Sequence, residues 1–344
     1  MDIRLLEARR HTGGRIQSTT TGHSDSPGVR LDSAVDLGPS WFWPGQERLA
    51  QLLTTLGLAD EVYPQWSQGD SVIEYADGRL QVGVASASMA GSLRLDGGLQ
   101  RLTDQLETAL PSDALITSCR VQRITEAADA VHLDTATADR PGRLSARRVV
   151  LALPPRVVDA TIAKVPPWSE AERETQRATP TWMAGQAKCI AVYDTPFWRD
   201  AGLSGDAFSQ RGPLVEIHDA SPKSGGPYAL FGFVGIPPAQ RRGRQADVQR
   251  AVVEQITRLF GDAGRHPIAL HYRDWADDDL TASELDQSGR NAHAPPTLRY
   301  PPLAGGRIWW AGTETAEPGG QEQGYLEGAL ASAERVANAI LTLD

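Results

Sequence analysis

The segment with the clearest potential for chemistry lies near the end of the chain, at residues 305–341. Residues 307–311 form a short apolar and aromatic run next to glycines, which predicts a buried strand. A loop rich in Gly, Thr, Glu and Pro follows, and apolar residues then recur at helical spacing. The unpaired N–H groups at the start of such a helix suit an electron-rich or anionic group, although an ordinary strand–helix unit has the same pattern.

Glu7 is a second candidate, because it ends the apolar run of residues 3–7 and precedes a Gly-Gly turn at residues 12–15. Dinucleotide-binding folds place at such a strand end the carboxylate that holds a ribose hydroxyl. That acid follows a Gly-rich phosphate loop by about twenty residues, whereas this chain begins six residues before Glu7. We therefore expect either a cofactor-binding acid in a chain without its first strand, phosphate loop and helix, or a surface strand that ends in a charge.

Lys188 is the third candidate and lies in the middle of the mostly apolar residues 183–193. It shares one face of this predicted strand with Ile190 and Val192. The chain otherwise uses arginine for almost all of its positive charges, because only three of its 34 basic residues are lysines. A lysine with its stem on a half-buried strand and its ammonium group in water is the other interpretation.

Periodic or alternating apolar residues predict the elements that position these candidates. Helices are expected at residues 46–58, 97–110, 170–177 and 247–260, in addition to the C-terminal helix. Strands are expected within a hairpin region at residues 62–90 and at residues 119–125, 130–135, 147–153, 183–193, 214–218, 228–234 and 268–275. The ends of the chain thus carry features of a dinucleotide-binding fold, with a strand-rich middle inserted between them. The predicted class is α/β with an α+β insertion.

The composition excludes several classes of protein. The chain has 344 residues, 40% of them hydrophobic and 22% charged, which is typical of a soluble globular protein with two domains or one discontinuous domain. Its formal charge of -9 argues against nucleic-acid and acidic-membrane partners. No run of 18 apolar residues predicts a transmembrane helix, and the charged start MDIRLLEARR does not resemble a signal peptide. The two cysteines, Cys119 and Cys189, suggest neither a disulfide framework nor a metal site, so we expect a cytoplasmic protein.

Taken together, LLEARRHTGGRI at the start and AGTETAEPGGQEQGYLEGALASAERVANAIL at the end resemble the flavin-containing amine oxidase family, which includes monoamine and polyamine oxidases. Residues 36–41, 97–102, 149–155 and 188–198 follow in that family's order and approximate spacing, so the resemblance covers essentially the whole chain. It implies a Rossmann-like FAD-binding domain that lacks the N-terminal βα unit with the GxGxxG loop, and an inserted α+β substrate domain. The expected FAD-binding domain comprises residues 1–62, 92–160 and 286–344. Residues 63–91 and 161–285 form the expected substrate domain.

The resemblance also implies roles for individual residues in binding FAD. Glu7 would hold the adenosine ribose, and the backbone of Val121 would meet the adenine. Gly13 and Gly14 would let the backbone approach the pyrophosphate and the flavin, because they are small. Arg15, the next residue, would offer hydrogen-bond donors to phosphate. The implied cofactor-binding residues are Glu7, Gly13, Gly14, Arg15, Val121, Gly312, Thr313, Glu314, Gly324 and Tyr325.

The implied catalytic residues are Lys188 and Tyr325. Lys188 matches the lysine that holds a water against the reactive nitrogen of the flavin. Tyr325 matches one wall of an aromatic cage that steers a neutral amine, although a packed tyrosine at a helix start is also common. For the second wall, His293 and Trp275 are the available side chains. The loop that precedes residue 300 also lacks the cysteine that some members use to tether flavin, so we expect non-covalent FAD.

The activity implied by the resemblance is the FAD-dependent oxidation of an amine to an imine, with hydride transfer to the flavin and reoxidation by dioxygen. Two alternatives remain open on the sequence alone. One is a flavin-dependent desaturase or oxidase of a non-amine substrate. The other is a truncated, non-catalytic relative that no longer binds FAD.

Overall fold

The computed structural model of the chain describes residues 2–21, 34–84, 89–137, 141–223, 225–287, 300–303, 305–317 and 324–343. These ranges form a mixed α/β fold that contains both parallel and antiparallel strand pairs. The fold class predicted from the sequence is therefore confirmed.

The strands of the described residues are short, and most have between two and seven residues. They are β1 (Leu5–Leu6), β2 (Ser18–Thr20), β3 (Ala34–Asp36), β4 (Val62–Pro64), β5 (Asp70–Glu74), β6 (Leu80–Val84), β7 (Leu93–Leu95), β8 (Leu115–Ile116), β9 (Arg120–Glu126), β10 (Val131–Ala136), β11 (Pro141–Ala146), β12 (Val149–Leu151), β13 (Ala163–Val165), β14 (Ala187–Tyr193), β15 (Leu203–Ser209), β16 (Leu214–Asp219), β17 (Tyr228–Val234), β18 (Ala269–Asp274) and β19 (Ile308–Trp310).

The helices of the same ranges include the four long amphipathic ones expected from apolar periodicity. They are α1 (Glu47–Thr55), α2 (Gln100–Thr108), α3 (Pro155–Thr161), α4 (Glu170–Ala178), α5 (Phe197–Asp200), α6 (Pro238–Arg241), α7 (Gln245–Phe260) and α8 (Leu326–Leu341). None of these described helices is both long enough and apolar enough to cross a membrane.

A seven-stranded sheet with the order β18-β14-β17-β16-β15-β5-β6 forms the middle of the fold. All its neighbouring strands are antiparallel except β5 and β15, which are parallel. The predicted hairpin with its turn at Asp77 and Gly78 is the β5–β6 edge of this sheet. The register places Lys188 opposite Phe233, Phe233 opposite Glu216 and Glu216 opposite Phe208. These four side chains therefore form one row across the same face.

The two faces of this sheet pack against different partners. Cys189, Ala191 and Tyr193 of β14 join a large apolar cluster that includes the buried face of α7. Ile190 and Val192 point the other way and pack with β3 and β17. Since side chains alternate along a strand, Lys188 shares a face with Ile190 and Val192, and this face is opposite to α7.

Two parallel pairs join segments that are far apart in the chain. β1 pairs with β8, and β12 pairs with β19. Side chains of β1, β12 and β19 contribute to one apolar cluster with β9, β10, α3 and Tyr300. Glu7 directly follows β1, and one residue separates β19 from Gly312. The carboxyl ends of parallel strands are where open α/β sheets bind ligands, so both residues stand where a binding site is expected.

α8 is tied to α1 by a buried carboxylate. Glu327, in the first turn of α8, is 1% exposed and accepts the backbone N–H groups of Arg48 and Leu49 at 2.9 Å each. These N–H groups belong to the first turn of α1 and have no partner within that helix. The apolar faces of α1 and α2 and two leucines of α8 then complete a separate core.

Several elements differ from the sequence-based expectation, and three of them have a clear physical reason or a different partner. The Pro154-Pro155 pair was expected only to end a strand. In the structure Pro155 is also the first residue of α3, where its fixed φ is favourable. Residues 62–64 pair with β7 rather than with the β5–β6 hairpin. The unpredicted strand β15 carries Ser204, Asp206 and Ser209 at buried positions, so it has no apolar alternation to reveal it.

Candidate functional site

Lys188 lies in the middle of the fold and is only 4% exposed. Its Nζ atom donates to three oxygens, namely Asp36 O at 3.1 Å, Gly38 O at 2.7 Å and Ser40 Oγ at 2.9 Å. The same atom stands 4.4 Å from the ring centroid of Phe231. An ammonium group has three N–H donors, so all of them are satisfied by the chain.

The surroundings of Lys188 favour the uncharged amine far more than water does. Burial lowers the pKa of Lys188 to about 7, an effect that the charge of Asp36 opposes and the charge of Arg94 strengthens. The carboxyl group of Asp36 is itself buried, which raises its pKa. Because the folded pKa of Lys188 is depressed, the neutral amine becomes the main form as pH rises through about 7. A lysine of this kind can hydrogen-bond a neutral ligand or water only in exchange for one of these three partners, and in its neutral form it places no full charge beside it.

Arg15 and Glu314 form a second buried polar group in the described residues. Arg15 Nη1 and Nη2 donate to the two carboxylate oxygens of Glu314 at 2.6 and 2.9 Å. The backbone of Trp182 binds both partners, since its N–H donates to Glu314 Oε1 at 3.1 Å and its carbonyl accepts from Arg15 at 3.1 Å. The structure thus brings two of the predicted cofactor-binding residues together with Trp182, a residue that was not predicted.

The predicted glycines differ in their surroundings. Gly13 has a φ of 105°, and a Cβ there would lie 2.7 Å from Ile16 O, so the chain itself requires glycine at this position. Gly14 has a φ of 57° and no atom within 4 Å of a Cβ position, so one side of the turn is open. Gly312 has a φ of 110° and donates its N–H to Ser332 Oγ at 2.9 Å. Gly14 therefore leaves space for a ligand to approach the backbone closely, and so does Gly312, whose nearest neighbour to a Cβ position is Glu314 Oε2 at 3.9 Å.

Gly324 and Tyr325 mark the start of α8. A Cβ at Gly324 would lie 2.4 Å from the indole of Trp182, which packs directly on this glycine. The ring of Tyr325 is 37% exposed and stands between two tryptophans, with centroid distances of 5.7 Å to Trp43 and 5.7 Å to Trp182. The carbonyl of Tyr325 accepts from Thr313 Oγ1 at 2.9 Å, which fixes the helix start to the loop after β19. The result is a partly open aromatic wall beside the Arg15–Glu314 pair.

Glu7 and Val121 lie at the other parallel pair. The N–H of Glu7 donates to Ile116 O, and its carbonyl accepts from Cys119 N, two residues before Val121. One carboxylate oxygen of Glu7 accepts the N–H of Arg9 at 2.7 Å, which holds the side chain against its own turn. Both residues therefore stand at the same end of β1, as an adenosine-binding role requires.

Trp275 and His293 were suggested for the second wall of the aromatic cage, and the structure describes only Trp275. Trp275 is 6% exposed and donates its indole N–H to Leu37 O at 3.1 Å, and the guanidinium of Arg273 covers its ring. Within the described residues, the ring of Tyr325 contacts Trp43 and Trp182 instead. His293 lies outside the described residues.

Sequence reasoning missed several residues of the site. Asp36 and Ser40 belong to a segment that carries the family resemblance, but the sequence of this segment does not predict contacts with Lys188. Arg94 is a buried arginine that donates to Ala220 O and Ser221 O. Trp182 follows the helix α4 without any periodic signal, and the next residue, Met183, has the uncommon φ of 56°. A tryptophan in a polar, Pro-flanked segment was the only available indication.

These features together fit a long ligand with hydroxyl and anionic groups. Glu7 follows β1, and the open turn at Gly14 comes next in the chain. The start of α8 faces the loop after β19. Carboxylates bind ribose hydroxyls, and helix N-termini and arginine donors bind phosphates. Near this cradle lie an amine of low pKa and an aromatic wall, which suit a small neutral nitrogen compound.

Comparisons with known proteins agree with this interpretation. The family model described as flavin containing amine oxidoreductase matches residues 1–87 and 75–341. A protein of Mycobacterium tuberculosis provisionally named flavin-containing monoamine oxidase AofH is 32% identical over 267 residues, which cover 73% of this chain and 52% of that protein. Putrescine oxidase of Kocuria rosea is 28% identical over 272 residues, or 72% of this chain and 54% of that protein. The chain therefore spans about half the length of the curated relatives it matches.

Solved structures support the fold over nearly the whole chain. Cyclohexylamine oxidase from Brevibacterium oxydans IH-35A has a TM-score of 0.77 and 19% identity, with 98% of this chain and 93% of that chain covered. Wild-type putrescine oxidase bound to putrescine has a TM-score of 0.75 and 18% identity with the same coverage. At this identity the likeness concerns the fold.

Proposed function

Because the chain belongs to the flavin-containing amine oxidoreductase family, we propose that it binds FAD without a covalent link and oxidises an amine to an imine. The observation that carries this proposal is the buried Lys188, whose amine has a pKa of about 7 and lies on one face of the seven-stranded sheet. FAD, when bound, would supply the two-electron oxidant for the amine, and dioxygen would restore it.

Residues near the parallel strand pairs would hold the cofactor. Glu7 would accept hydrogen bonds from the adenosine ribose, and the backbone at Val121 would meet the adenine. Gly13 and Gly14 would let the backbone approach the pyrophosphate, with Arg15 oriented by Glu314. Gly312, Thr313 and Glu314 would line the ribityl chain, and the N-terminal N–H groups of α8, which begins after Gly324 and Tyr325, would stabilise negative charge.

The cysteines support non-covalent binding. Cys119 and Cys189 are both free and buried. Burial raises the pKa of Cys189 to about 12, so its thiol is not ionised near neutral pH. The thiolate is the reactive form of cysteine, and neither residue is a suitable attachment point.

Lys188 and the aromatic wall would act on the substrate side. An amine must lose its proton before its adjacent carbon can lose hydride, so the site must favour neutral nitrogen. Tyr325 would present its ring to the amine, and Trp43 and Trp182 would hold that ring in place. Lys188 would hydrogen-bond a water or the substrate in exchange for one of its three oxygen partners in the chain, and its neutral form would add no fixed charge there. The product imine would then hydrolyse in water.

The membership of two apolar clusters supports the expected division of the chain. We assign residues 1–62, 92–160 and 286–344 to the FAD-binding domain and residues 63–91 and 161–285 to the substrate domain. The cluster around β12 and β19 draws mainly on the first set, and the cluster beneath the seven-stranded sheet draws on the second.

A flavin-binding and reduction experiment tests the proposal. The purified chain is mixed with FAD, passed through a gel-filtration column and scanned for flavin absorbance, then mixed anaerobically with a panel of primary and secondary amines. We expect retained flavin and loss of its colour with at least one amine, followed by hydrogen peroxide formation on admission of air.

Lys188→Met provides the matched variant. It should retain the flavin but lower the rate of reduction by about 100-fold, the order expected when a positioning group is lost. Lys223→Met removes an exposed lysine and should leave the rate unchanged. Flavin that no amine reduces, but that a polyene or heterocycle reduces, would identify a desaturase-type enzyme. Complete loss of flavin on the column would instead support a non-catalytic relative.

A further inference from the structure

We propose that the hydroxyl group of Ser40 is the positioning group that holds Lys188 in one orientation in both of its protonation states and helps to set the balance between them. The catalytic meaning of this inference rests on the proposed function. The contact itself belongs to the chain alone and can be measured without any amine substrate.

The argument starts from the three partners of Lys188 Nζ. Two of them, the carbonyl oxygens of Asp36 and Gly38, can only accept hydrogen bonds. The third, Ser40 Oγ at 2.9 Å, belongs to a hydroxyl group that can accept or donate. Of these three partners, Ser40 alone can both accept and donate a hydrogen bond.

The two protonation states of Lys188 need different partners. The ammonium form has three N–H donors and uses all three oxygens as acceptors. The neutral amine has two N–H donors and one lone pair. The two carbonyls can take both donors, and the Ser40 hydroxyl can turn its O–H toward the lone pair. Proton loss therefore needs no movement of heavy atoms, only a rotation of the serine hydroxyl.

Water does not readily take over this role. Ser40 and Lys188 are each 4% exposed, and the aromatic ring of Phe231 covers one side of the amine. A hydroxyl removed from this place leaves one buried partner of Lys188 missing in either state. Hydrogen bonds to a charged group are about twice as strong as neutral ones, so the ammonium form loses more.

The other charged groups near Lys188 stay in place when Ser40 is changed. From β3, the Asp36 carboxylate is fixed by Ser18 Oγ at 2.7 Å and Leu99 N at 2.8 Å. From β7, Arg94 is fixed by two backbone carbonyls. From β18, Arg273 is the cross-strand neighbour of Lys188 and is ion-paired with Asp278. On the β17 side, the neighbours are Phe231 and Phe233, which carry no charge.

The scarcity of lysine makes the test direct. The chain contains only Lys164, Lys188 and Lys223, so biosynthetic labelling with carbon-13 and nitrogen-15 lysine gives three side-chain signals in NMR spectra. Lys188→Met assigns the signal of interest by its absence. A pH titration of the purified protein, with whatever cofactor it carries, then gives the pKa of Lys188, and the line shape reports whether the side chain holds one orientation.

We expect Ser40→Ala to lower the pKa of Lys188 by about one unit, because a charge-assisted hydrogen bond is lost, and to split or broaden its signal. Ser40→Thr keeps a hydroxyl and should keep the wild-type titration. Ser40→Cys, with a weakly bonding thiol, should shift the pKa in the same direction by a smaller amount. Ser204→Ala removes another buried serine, on β15, and should leave Lys188 unaffected.

Unchanged titration of Lys188 in Ser40→Ala, or a rise in its pKa, would overturn the proposal. Equal shifts in Ser40→Thr and Ser40→Ala would assign the effect to packing rather than to the hydroxyl, with the same consequence. The signals of Lys164 and Lys223 show in each sample whether the protein is folded. If Ser40→Ala does not fold, the Ser40→Cys and Ser40→Thr pair carries the comparison. Failure here leaves flavin reduction by amines untouched, so the two hypotheses fail separately.

Discussion

Arg15 and Glu314 are separated by 299 positions in the chain, yet two hydrogen bonds of 2.6 and 2.9 Å join the guanidinium group to both carboxylate oxygens. Glu314 is 2% exposed, whereas the side chain of Arg15 is 28% exposed. The pair therefore fastens the turn after β1 to the loop after β19, the two segments that would hold the cofactor.

Removal of Arg15 leaves the Glu314 carboxylate buried without its cation. We expect Arg15→Met to lower the free energy of unfolding by about 3–5 kcal/mol, the cost of an uncompensated buried charge. The double variant Arg15→Met/Glu314→Leu should recover part of this loss, since no charge remains. Urea denaturation measures both, with Arg250→Met as the control because its side chain is 67% exposed. Equal destabilisation by the single and double variants would contradict the prediction.

Tyr325 is expected to contribute its ring rather than its hydroxyl. Tyr325→Phe keeps both aromatic contacts and should change kcat/KM for an amine little. Tyr325→Ala removes them and should lower kcat/KM about 10-fold, which corresponds to ~1.4 kcal/mol and to the usual strength of such ring pairs. Steady-state kinetics checks this, with Tyr75→Ala on the β5–β6 hairpin as the control. A Phe variant as slow as the Ala variant would point to the hydroxyl instead.

Gly324 should be irreplaceable because of Trp182. Gly324 and Gly305 both have positive φ values, 87° and 64°, but only Gly324 has a neighbour within 4 Å of a Cβ position. Gly305→Ala should cost about 1 kcal/mol of stability from backbone strain alone. Gly324→Ala should cost about 1–3 kcal/mol more, because the indole of Trp182 must move. Chemical denaturation and near-ultraviolet circular dichroism test this, and equal effects at the two glycines would exclude the packing explanation.

His218 should make stability depend on pH. Its ring nitrogens stand 2.8 Å from carboxylate oxygens of Asp206 and Glu216. Burial alone would lower the pKa of His218, but the hydrogen bonds and charges of the two carboxylates outweigh burial and raise it. The folded state thus binds the proton more tightly than the unfolded state. This stabilisation is complete below the unfolded pKa of about 6.5 and is lost as pH rises through the higher folded value.

Urea denaturation across this pH range measures the effect. The free energy of unfolding of the wild-type protein should fall as pH rises, with a limiting slope of about 1.4 kcal/mol per unit for one proton. His218→Asn should remove that component, whereas the control His132→Asn, on β10, should keep it. An identical pH profile for wild type and His218→Asn would show that other groups are responsible.

The sequence predicts much of the fold where the apolar pattern is regular. α1, α2, α7 and α8 have apolar residues at helical spacing, and the structure has all four. Among the elements that were not predicted, α3 and β15 have local physical reasons, since a proline begins the first and buried polar side chains fill the second. A pattern that depends on apolar periodicity cannot detect a strand whose buried polar groups are satisfied by partners elsewhere in the chain.

The sequence indicated individual residues of the candidate site but not the contacts between them. Lys188 stands out in the sequence because lysine is scarce and its strand is apolar. Its partners come from positions 148 to 152 residues away, and nothing in the sequence of either segment specifies these contacts. The same holds for Trp182, which reaches Tyr325 through tertiary packing alone. Sequence patterns report local periodicity, whereas these contacts depend on how distant elements pack.

The two faces of the seven-stranded sheet differ in what they contribute. One face stabilises the fold, and the other carries Lys188. The side toward α7 is a continuous apolar core, and the partly exposed row of Phe208, Glu216 and Phe233 stands with Lys188 on the other side. Substitutions in that row leave the core beneath the sheet unchanged. Directed evolution of the proposed substrate side can therefore randomise Phe208 and Phe233 at little risk to the core beneath α7, whereas Glu216 has to stay because its carboxylate holds the buried His218.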